Sequence, residues 1–339
     1  MGAVAKGLPA AAVNPSLSLS SELYLVSLGL PELRGWLRGE ANIMKSLSGV
    51  EKIIFRALIV AFLTIGAWKK APQAEATSAP RHYSIQVLRR TDGRVARSLL
   101  NQMVSTNWSG YVAAYFATGQ PYTSAQGTWV VPTVTYFPDS RFSAEYSSTW
   151  VGIGGFCENT NCTVADNSLL QLGTEQDASS TRTRYYAWYE ALPSPIKKIP
   201  ISISPGDTIT VSLQLVSVGK KNQSWTLRME DTTGAQTWST TLNYKSSQLS
   251  AEWIEEAPSS SGGILPLAAY GPGSAGSLAP AFDFGLTSSG SSPLTTSEGV
   301  MMGDPWGQTS NPSSIDSDSD GFNTCWGNGA MPPCSPPGS

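Results

Sequence analysis

Three neighbouring stretches decide the fold: Thr149-Trp-Val-Gly-Ile-Gly-Gly155, Leu169-Leu-Gln-Leu-Gly-Thr-Glu-Gln176 and Arg184-Tyr-Tyr-Ala-Trp-Tyr-Glu190. Each is short, rich in β-branched and aromatic residues, and bounded by Gly, Asn, Ser or Asp, which is typical of antiparallel strands. Because side chains alternate across a strand, Trp150 shares its face with two glycines, and Trp188 shares its face with Glu190. Large aromatics beside glycine gaps predict a cleft.

Similar β-rich segments recur outward from these strands, separated by Gly, Pro, Asn or Asp. With no convincing helix among them, they predict an all-β domain, an antiparallel β-sandwich of two large sheets. Residues 258–314 are rich in Ser, Gly and Pro, and we predict loops and edge strands of the same domain there. The further predicted strands are 108–116, 127–131, 199–203, 208–215, 224–230, 237–244 and 251–255.

Charge is unevenly distributed along the 339 residues. Residues 1–104 carry 13 Lys and Arg against 6 Asp and Glu, whereas residues 105–339 carry 9 against 19. A domain this acidic would repel a phosphate backbone, so nucleic acid is excluded as a partner.

The chain has a single histidine, His82. Serine–histidine and cysteine–histidine catalysis, and zinc sites built from several imidazoles, all need a histidine in the folded domain. We therefore expect carboxylates, amides and hydroxyls to carry any chemistry, without a metal or cofactor. Since His82 lies among arginines, we expect it to be a solvated side chain.

The N-terminal region reads as an export signal. Lys45, Lys52 and Arg56 precede the apolar run 57–68, and Ala74-Glu-Ala76 is a small-x-small cleavage site. We predict a signal peptide at 44–76 and a secreted protein without stable membrane association, the alternative being a membrane anchor. Residues 1–43 are then an N-terminal extension, either an over-extended reading frame or a cytoplasmic segment.

Residues 77–104 are basic, with five arginines against one acid, Asp92. We predict either a pro-segment that covers an acidic cleft or an extended linker. The β-sandwich domain follows at 105–329, and residues 330–339 form a Pro-rich tail.

The four cysteines, Cys157, Cys162, Cys325 and Cys334, lie at short separations. In an exported chain this favours disulfides, with local pairing the simplest of three connectivities; a zinc site is the alternative. Asp316-Ser-Asp318-Ser-Asp320-Gly copies the start of a calcium loop, but the twelfth position is Gly327, which favours an acidic turn instead.

Six motifs follow one another along the chain: Asn107-Trp-Ser-Gly-Tyr111, Ser148-Thr-Trp-Val-Gly-Ile-Gly-Gly155, Leu170-Gln-Leu-Gly-Thr-Glu175, Tyr186-Ala-Trp-Tyr-Glu190, Ala251-Glu-Trp-Ile-Glu-Glu256 and Asp318-Ser-Asp-Gly-Phe-Asn323. In this order they resemble the glutamic peptidases, also called eqolisins, over roughly residues 105–328. The resemblance implies a β-sandwich with a catalytic dyad of Gln171 and Glu252, and a cleft lined by Trp150, Trp188 and Glu190. Fungal members carry an Asp where this chain has Gly154, so the sequence looks closer to bacterial members, and an additional carboxylate near the dyad is in doubt.

The chemistry of these residues supports the same pairing. Amide hydrolysis without metal or histidine needs a base for the water and a donor for the oxyanion, roles that Glu252 and the Gln171 amide can fill. We expect a monomeric endopeptidase acting on polypeptides in acid. Two alternatives remain: a glycoside hydrolase using Glu190 and Glu252, and a carbohydrate-binding module in which the tryptophans stack on sugars.

Overall fold

The structure is a computed structural model, which describes residues 80–137, 142–270, 278–285, 294, 297–317, 319, 321–330 and 333–337. For residues 278–285 it describes the backbone only. The predictions made for residues 1–79 lie outside this part of the chain.

The described chain is almost entirely β-structure, as predicted, with one short helix, α1 (Tyr115–Thr118). The strands in chain order are β1 (Met103–Ser105), β2 (Trp108–Ala114), β3 (Ser124–Val130), β4 (Val134–Thr135), β5 (Ala144–Gly154), β6 (Leu169–Ser179), β7 (Thr183–Ala191), β8 (Lys197–Lys198), β9 (Thr208–Val218), β10 (Gln223–Asp231), β11 (Gln236–Tyr244), β12 (Ser250–Glu256), β13 (Ser259–Ser260), β14 (Gly263–Ile264), β15 (Ala269–Tyr270), β16 (Leu278–Gly285), β17 (Glu298–Gly303), β18 (Gln308–Pro312) and β19 (Gly321–Asn328).

Fifteen of the strands form one continuous hydrogen-bonded path, in the order β11-β10-β9-β3-β16-β19-β18-β17-β2-β12-β5-β6-β7-β8, with β1 paired to β17. All pairs on the path are antiparallel, whereas β1 and β17 run parallel. The path folds back on itself, so that β10, β9 and β3 pack against β12, β5, β6 and β7. The result is the predicted β-sandwich.

The main core lies between these two layers. The indole of Trp129 on β3 crosses the gap and donates to Thr174 Oγ1 on β6 at 3.1 Å. Gly127, also on β3, lets the two layers approach closely, because a Cβ there would lie 2.8 Å from Val151 Cγ2 on β5. A second apolar cluster, including Trp108, Trp150 and Trp188, packs on the other face of β5–β7, which is the face that carries the candidate site.

Two predicted elements differ in the structure. Residues 199–203 were expected to form a strand, but they have no ladder and are wrongly assigned. Ile199, Ile201 and Ile203 are buried as a strand face would be, yet Pro200 lacks the N–H that a ladder needs. The predicted strand 108–116 ends two residues early because the chain turns into α1, which Gly119 closes in the left-handed conformation.

The region 258–314 belongs to the domain as expected, but its longer strands are not edges. The strands β16, β17 and β18 lie inside the path, and the two ends of the path are β11 and β8. The Ser-, Gly- and Pro-rich composition of this region predicts loops, and it carries no information on which strands pair. The position of these strands inside the sheet was therefore not predictable from composition.

Both disulfides are local: Cys157–Cys162 closes the loop after β5, and Cys325–Cys334 ties the tail to β19. Asp316 forms a turn before β19, accepting a hydrogen bond from Gly321 N at 3.0 Å. Asp318 and Asp320 lie outside the described residues, so the acidic turn stays a prediction for them. Within the described part of the chain, no helix has the length and apolarity to cross a membrane.

Candidate active site

The site is a row of residues that crosses four adjacent strands on one face of the sheet. Glu190 on β7 pairs with Gln171 on β6, Gln171 pairs with Gly152 on β5, and Gly152 pairs with Glu252 on β12. Residues directly opposite each other in antiparallel strands share a face. The register therefore brings Gln171, Glu190 and Glu252 together in one row.

Gly152 is the gap between the two proposed dyad residues. A Cβ at this position would lie 2.7 Å from Trp150 Cζ3 and 3.1 Å from Glu252 Oε2. The space above the glycine is therefore occupied by the indole ring and the carboxylate. Any larger residue would push one of them away.

Glu252 is a fully buried acid. Neither carboxylate oxygen has a hydrogen-bond partner among the described residues. Burial raises its pKa well above the usual range; the Ser250 hydroxyl opposes the shift, and the negative charge of Asp166 adds to it. The carboxylate is thus poised to hold a proton more strongly than an ordinary Glu does.

Asp166 brings an additional carboxylate close to the dyad, which the sequence had left in doubt. Gly154 has φ +87°, and a Cβ there would lie 3.1 Å from Asp166 Oδ2. Asp166 Oδ1 accepts from Ser168 N at 2.8 Å, and its Oδ2 accepts from the Ser247 hydroxyl. Because Ser247 lies three residues before β12, Asp166 also ties the loop after β5 to the strand that carries Glu252.

Gln171 is oriented by Glu190. Its Nε2 donates to Glu190 Oε2 at 3.4 Å, while its Oε1 has no partner among the described residues. Burial raises the pKa of Glu190 to about 7, with the charge of His82 lowering it and that of Glu256 raising it. A Gln amide has two N–H groups, so one remains available after the bond to Glu190.

Trp150 and Trp188 lie one row along the same face, on either side of Gly173. Trp150 Nε1 donates to Glu256 Oε2 at 2.8 Å, and Trp188 Nε1 donates to Ser148 Oγ at 3.1 Å. Both rings are fully buried in this structure.

An extended segment, residues 81–86, covers this face, and we call it the covering segment. It begins beside β13, where Arg81 and Ser259 exchange backbone hydrogen bonds of 2.8 Å, and Ile85 N donates to Gly155 O at 2.9 Å. In between, His82 N donates to Glu190 Oε2 at 3.1 Å. The covering segment thus contacts the row of site residues directly. Beside it lies a cavity of about 450 Å³ lined by Tyr83, Ile85, Glu190 and Leu192, among others.

The expectation of a solvated His82 is wrong. Its side chain is fully buried, with Nδ1 3.0 Å from Glu256 Oε2 and Nε2 3.4 Å from Glu175 Oε2. The ring stacks on Trp188 with centroids 3.8 Å apart and planes 4° apart. Neighbouring arginines suggested solvation, but the partners of His82 lie 93 and 174 positions away in the sequence.

Sequence reasoning assigned no site role to Glu175, His82 or Asp166. Of the two last acids of β12, Glu256 faces the site, whereas Glu255 faces the other side and accepts from Thr149 Oγ1 at 2.6 Å. Alternation along β12 places Glu256 on the same face as Glu252. Cross-strand register places Glu175 on this face too, because it pairs with Tyr186 and Ser148. No cluster of His, Cys, Asp and Glu in the described part of the chain could hold a metal ion.

The comparisons with known proteins agree with the motifs. A sequence profile of the Peptidase A4 family matches residues 106–275. The chain is 28% identical to aspergillopepsin-2 of Aspergillus niger over 226 residues, covering 60% of this chain and 75% of that protein. Among solved structures, scytalido-glutamic peptidase with a transition state analog inhibitor aligns with a TM-score of 0.46 at 22% identity, covering 66% of this chain and 98% of the other. The aspergilloglutamic peptidase of Aspergillus niger aligns with a TM-score of 0.39 at 23% identity, covering 54% of this chain and 99% of the other.

An all-β sandwich with an amide and carboxylates aligned on one face defines a candidate hydrolase. The chain belongs to the Peptidase A4 family, the glutamic peptidases, and is a peptidase. The glycoside hydrolase interpretation is disfavoured by the register as well. Glu190 and Glu252 are not neighbours in the row, because Gln171 on β6 and Gly152 on β5 lie between them.

Proposed function

We propose that the mature protein is a secreted acid endopeptidase that cleaves polypeptides with Gln171 and Glu252 as its catalytic dyad. The observation that carries the proposal is the row in which Gly152 separates the two side chains on one face. Membership of a glutamic peptidase family supports the same assignment. Gly154 supports the further proposal of a bacterial-type member.

In the proposed reaction, ionised Glu252 takes a proton from a water molecule as that water attacks the carbonyl carbon of the substrate. The free N–H of the Gln171 amide donates to the oxygen of the tetrahedral intermediate, where negative charge develops. Protonated Glu252 then returns the proton to the leaving nitrogen, and the C–N bond breaks. One carboxylate serves as base and acid in turn.

Glu190, Trp150 and Trp188 have supporting roles in this proposal. Glu190 accepts one N–H of Gln171 and so fixes the direction of the other. Trp150 and Trp188 form the floor of the cleft on which substrate side chains pack. Burial is the main cause of the raised pKa of Glu252, so removal of the segment that covers this face would expose the carboxyl group to water and lower its pKa. In the uncovered protein Glu252 can then ionise under acid conditions.

Secretion is supported by the signal-like residues 44–76 and by the two disulfides, which persist in oxidising compartments. We propose that the protein works as a monomer, without a metal or other cofactor. We also propose that residues 77–104 are a pro-segment rather than a linker, because the covering segment lies on the site and Glu252 is fully buried beneath this face. A catalytic water needs a route to that carboxylate.

The test is a protein-digestion assay at acidic and neutral pH on two variants, Glu252→Gln and Gln171→Ala. Each should lose about 10²- to 10³-fold in kcat, because one lacks the proton carrier and the other the oxyanion donor. Glu255→Gln is the matched control, a buried carboxyl on the same strand that faces away from the cleft.

Near-wild-type turnover by either dyad variant would refute the assignment of the dyad. Proteolysis should also persist in the presence of a metal chelator. Release of sugars from polysaccharides without proteolysis would instead restore the glycoside hydrolase alternative.

A further inference from the structure

We infer that His82, held as an imidazolium between Glu175 and Glu256, is the anchor that fastens the covering segment over the peptidase cleft. The inference rests on the proposed function only in naming what is covered. The anchor itself is a set of contacts that can be measured whether or not the protein cleaves peptides.

The contacts reach His82 from three strands. Glu175 comes from β6, Glu256 from β12, and Glu190 from β7 accepts the backbone N–H. The face of the imidazole lies flat on Trp188, also on β7. An imidazolium donates from both ring nitrogens and is attracted to the face of an indole. Each side of this pocket therefore matches a cation.

The next residue extends the attachment. Tyr83 N donates to Glu256 Oε1 at 3.3 Å, and Tyr83 O accepts from Trp108 Nε1 at 3.1 Å. Both oxygens of Glu256 thus bind the covering segment, one through a side chain and one through the backbone. Such a carboxylate is well placed to couple its own protonation to release of the segment.

The arginines of residues 77–104 do not provide this anchor. Arg89 donates to Cys162 O, Arg97 pairs with Glu298, and Arg90 lies 3.8 Å from Asp92 within the segment itself. All three contacts lie away from the dyad row. Only Arg81 acts near it, lowering the pKa of Glu190 through its charge. One specific buried pair, rather than general attraction between a basic segment and an acidic domain, therefore holds the covering segment in place.

The protonation of His82 follows from the groups that face it. Burial alone would lower its pKa, but Glu256 and Glu175 outweigh burial and raise the pKa to about 10. Because docking raises the pKa of His82, protonation of the imidazole stabilises the docked state. This stabilisation is complete below the pKa of a free histidine, about 6.5. That contribution disappears as the pH rises through about 10. The imidazolium is thus retained at neutral pH.

The acid limit is set by the carboxylates. Burial raises the pKa of Glu256 above its ordinary value, while the charge and hydrogen bond of His82 oppose the rise. As Glu256 takes up a proton, its attraction for the imidazolium is lost. The contribution of His82 therefore falls on acidification, beginning above the ordinary carboxyl range, which frees the cleft in the conditions proposed for activity.

The first test uses the fact that the chain has one histidine. The full chain carrying Glu252→Gln, labelled with ¹⁵N-histidine, gives a single pair of imidazole nitrogen signals whose shifts report protonation. We expect the imidazole to remain charged at pH 8, with no titration near 6.5. A midpoint near the free value of about 6.5 would overturn the inference.

The second test compares His82→Gln with Arg94→Gln in the same background, using hydrogen exchange of the amides in residues 82–85. Gln keeps a hydrogen-bond donor but has no charge, and Arg94 is exposed in the turn after Asp92. At pH 7, His82→Gln should exchange about 10- to 100-fold faster, as expected for the loss of a hydrogen bond to a charged group. Arg94→Gln should match the parent, and the difference should shrink as the pH falls.

Equal acceleration in the two variants would overturn the inference, since it would show that general charge fastens the segment. These measurements do not depend on catalysis, so failure of the dyad and failure of the anchor are distinguishable. A charged His82 in a protein without proteolytic activity would leave the anchor standing and refute the proposed function alone.

Discussion

At the residue scale, the site depends on having a glycine, which has no side chain, at position 152. Gly152 leaves the space that Trp150 and the Glu252 carboxylate share. We predict that Gly152→Ala lowers kcat by at least about tenfold, because a Cβ at 2.7 Å from Trp150 Cζ3 displaces the groups beside the dyad. Steady-state kinetics on a chromogenic peptide, with circular dichroism to confirm the fold, would measure this.

Gly303→Ala is the matched control, since a Cβ at that strand position meets no atom within 4 Å. If both alanine variants lose activity equally, crowding at Gly152 is not the cause.

Asp166 gives a second prediction at this scale, on pH dependence. Burial and the Asp166 charge both raise the pKa of Glu252, so Asp166→Asn removes one of the two contributions. The Glu252 pKa should fall, and a base that must be ionised then works at lower pH. We expect the acid limb of the kcat/KM profile to move toward lower pH.

Asp231→Asn is the comparison for Asp166→Asn, because Asp231 is also buried and hydrogen-bonded but lies on β10. An unchanged acid limb in Asp166→Asn, despite a folded protein, would show that Asp166 serves structure alone.

Glu255 supplies a prediction on stability. Burial raises its pKa to about 8, and the hydroxyls of Thr149 and Ser147 oppose the shift. Because folding raises the pKa of Glu255, the protonated carboxyl group stabilises the fold, completely so below the unfolded pKa of about 4.3. This contribution is lost as the pH rises through about 8. Glu255→Gln should therefore gain stability relative to wild type across that window, by a few kcal/mol at about 1.4 kcal/mol per pKa unit.

Urea midpoints of the two proteins at several pH values, with Glu230→Gln as a partly exposed control, would measure the effect of Glu255. Parallel stability curves for Glu255→Gln and wild type would contradict it.

The shared face of Gln171 and Glu252 was predictable from sequence, whereas the pocket around His82 was not. The difference is whether local strand alternation or long-range strand pairing sets the surroundings of a residue. Gln171 and Glu252 sit in motifs whose strand alternation fixes the face that each occupies. The environment of His82 is set by Glu175 and Glu256, on strands brought together only by long-range pairing. Local sequence showed arginines around His82, and local charge says nothing about such partners.

At the element scale, β1 limits where the N-terminal segment can be removed. Met103–Ser105 pairs with β17, and Ser105 is fully buried, so a cut at Ser105 would destroy sheet pairing. Leu99 and Leu100 are highly exposed in the preceding turn. We predict that active, secreted protein begins within residues 98–102, and N-terminal sequencing decides this.

A mature terminus at or before Arg81 would contradict removal of the segment. One beyond Ser105 would show that β1 is dispensable. The charge reversal places the start of the domain at residue 105. It locates a change of role along the chain but carries no information on burial, so it does not locate a cleavage site.

At the scale of the whole molecule, the sandwich was predictable because short strands of alternating pattern recur between turn residues. The order of the strands was not. The strands β16, β17 and β18 are short or interrupted by Gly and Pro, and their place inside the sheet follows from partners such as β3 and β2, more than 150 positions earlier. Ile199, Ile201 and Ile203 show the reverse case, a strand-like apolar pattern whose burial comes from packing without pairing.

The pairing of β17 with β2 has a consequence for when activity first arises. The strand that bears Glu252 lies against β2, whose other edge is completed only by residues 298–303. Synthesis must therefore pass residues 298–303 before the sheet that carries Glu252 can close. A nascent chain that stops short of them has made β12 but still lacks the strand that pairs with the far edge of β2, so the proposed site is assembled only after the strand that bears Glu252 has been synthesised.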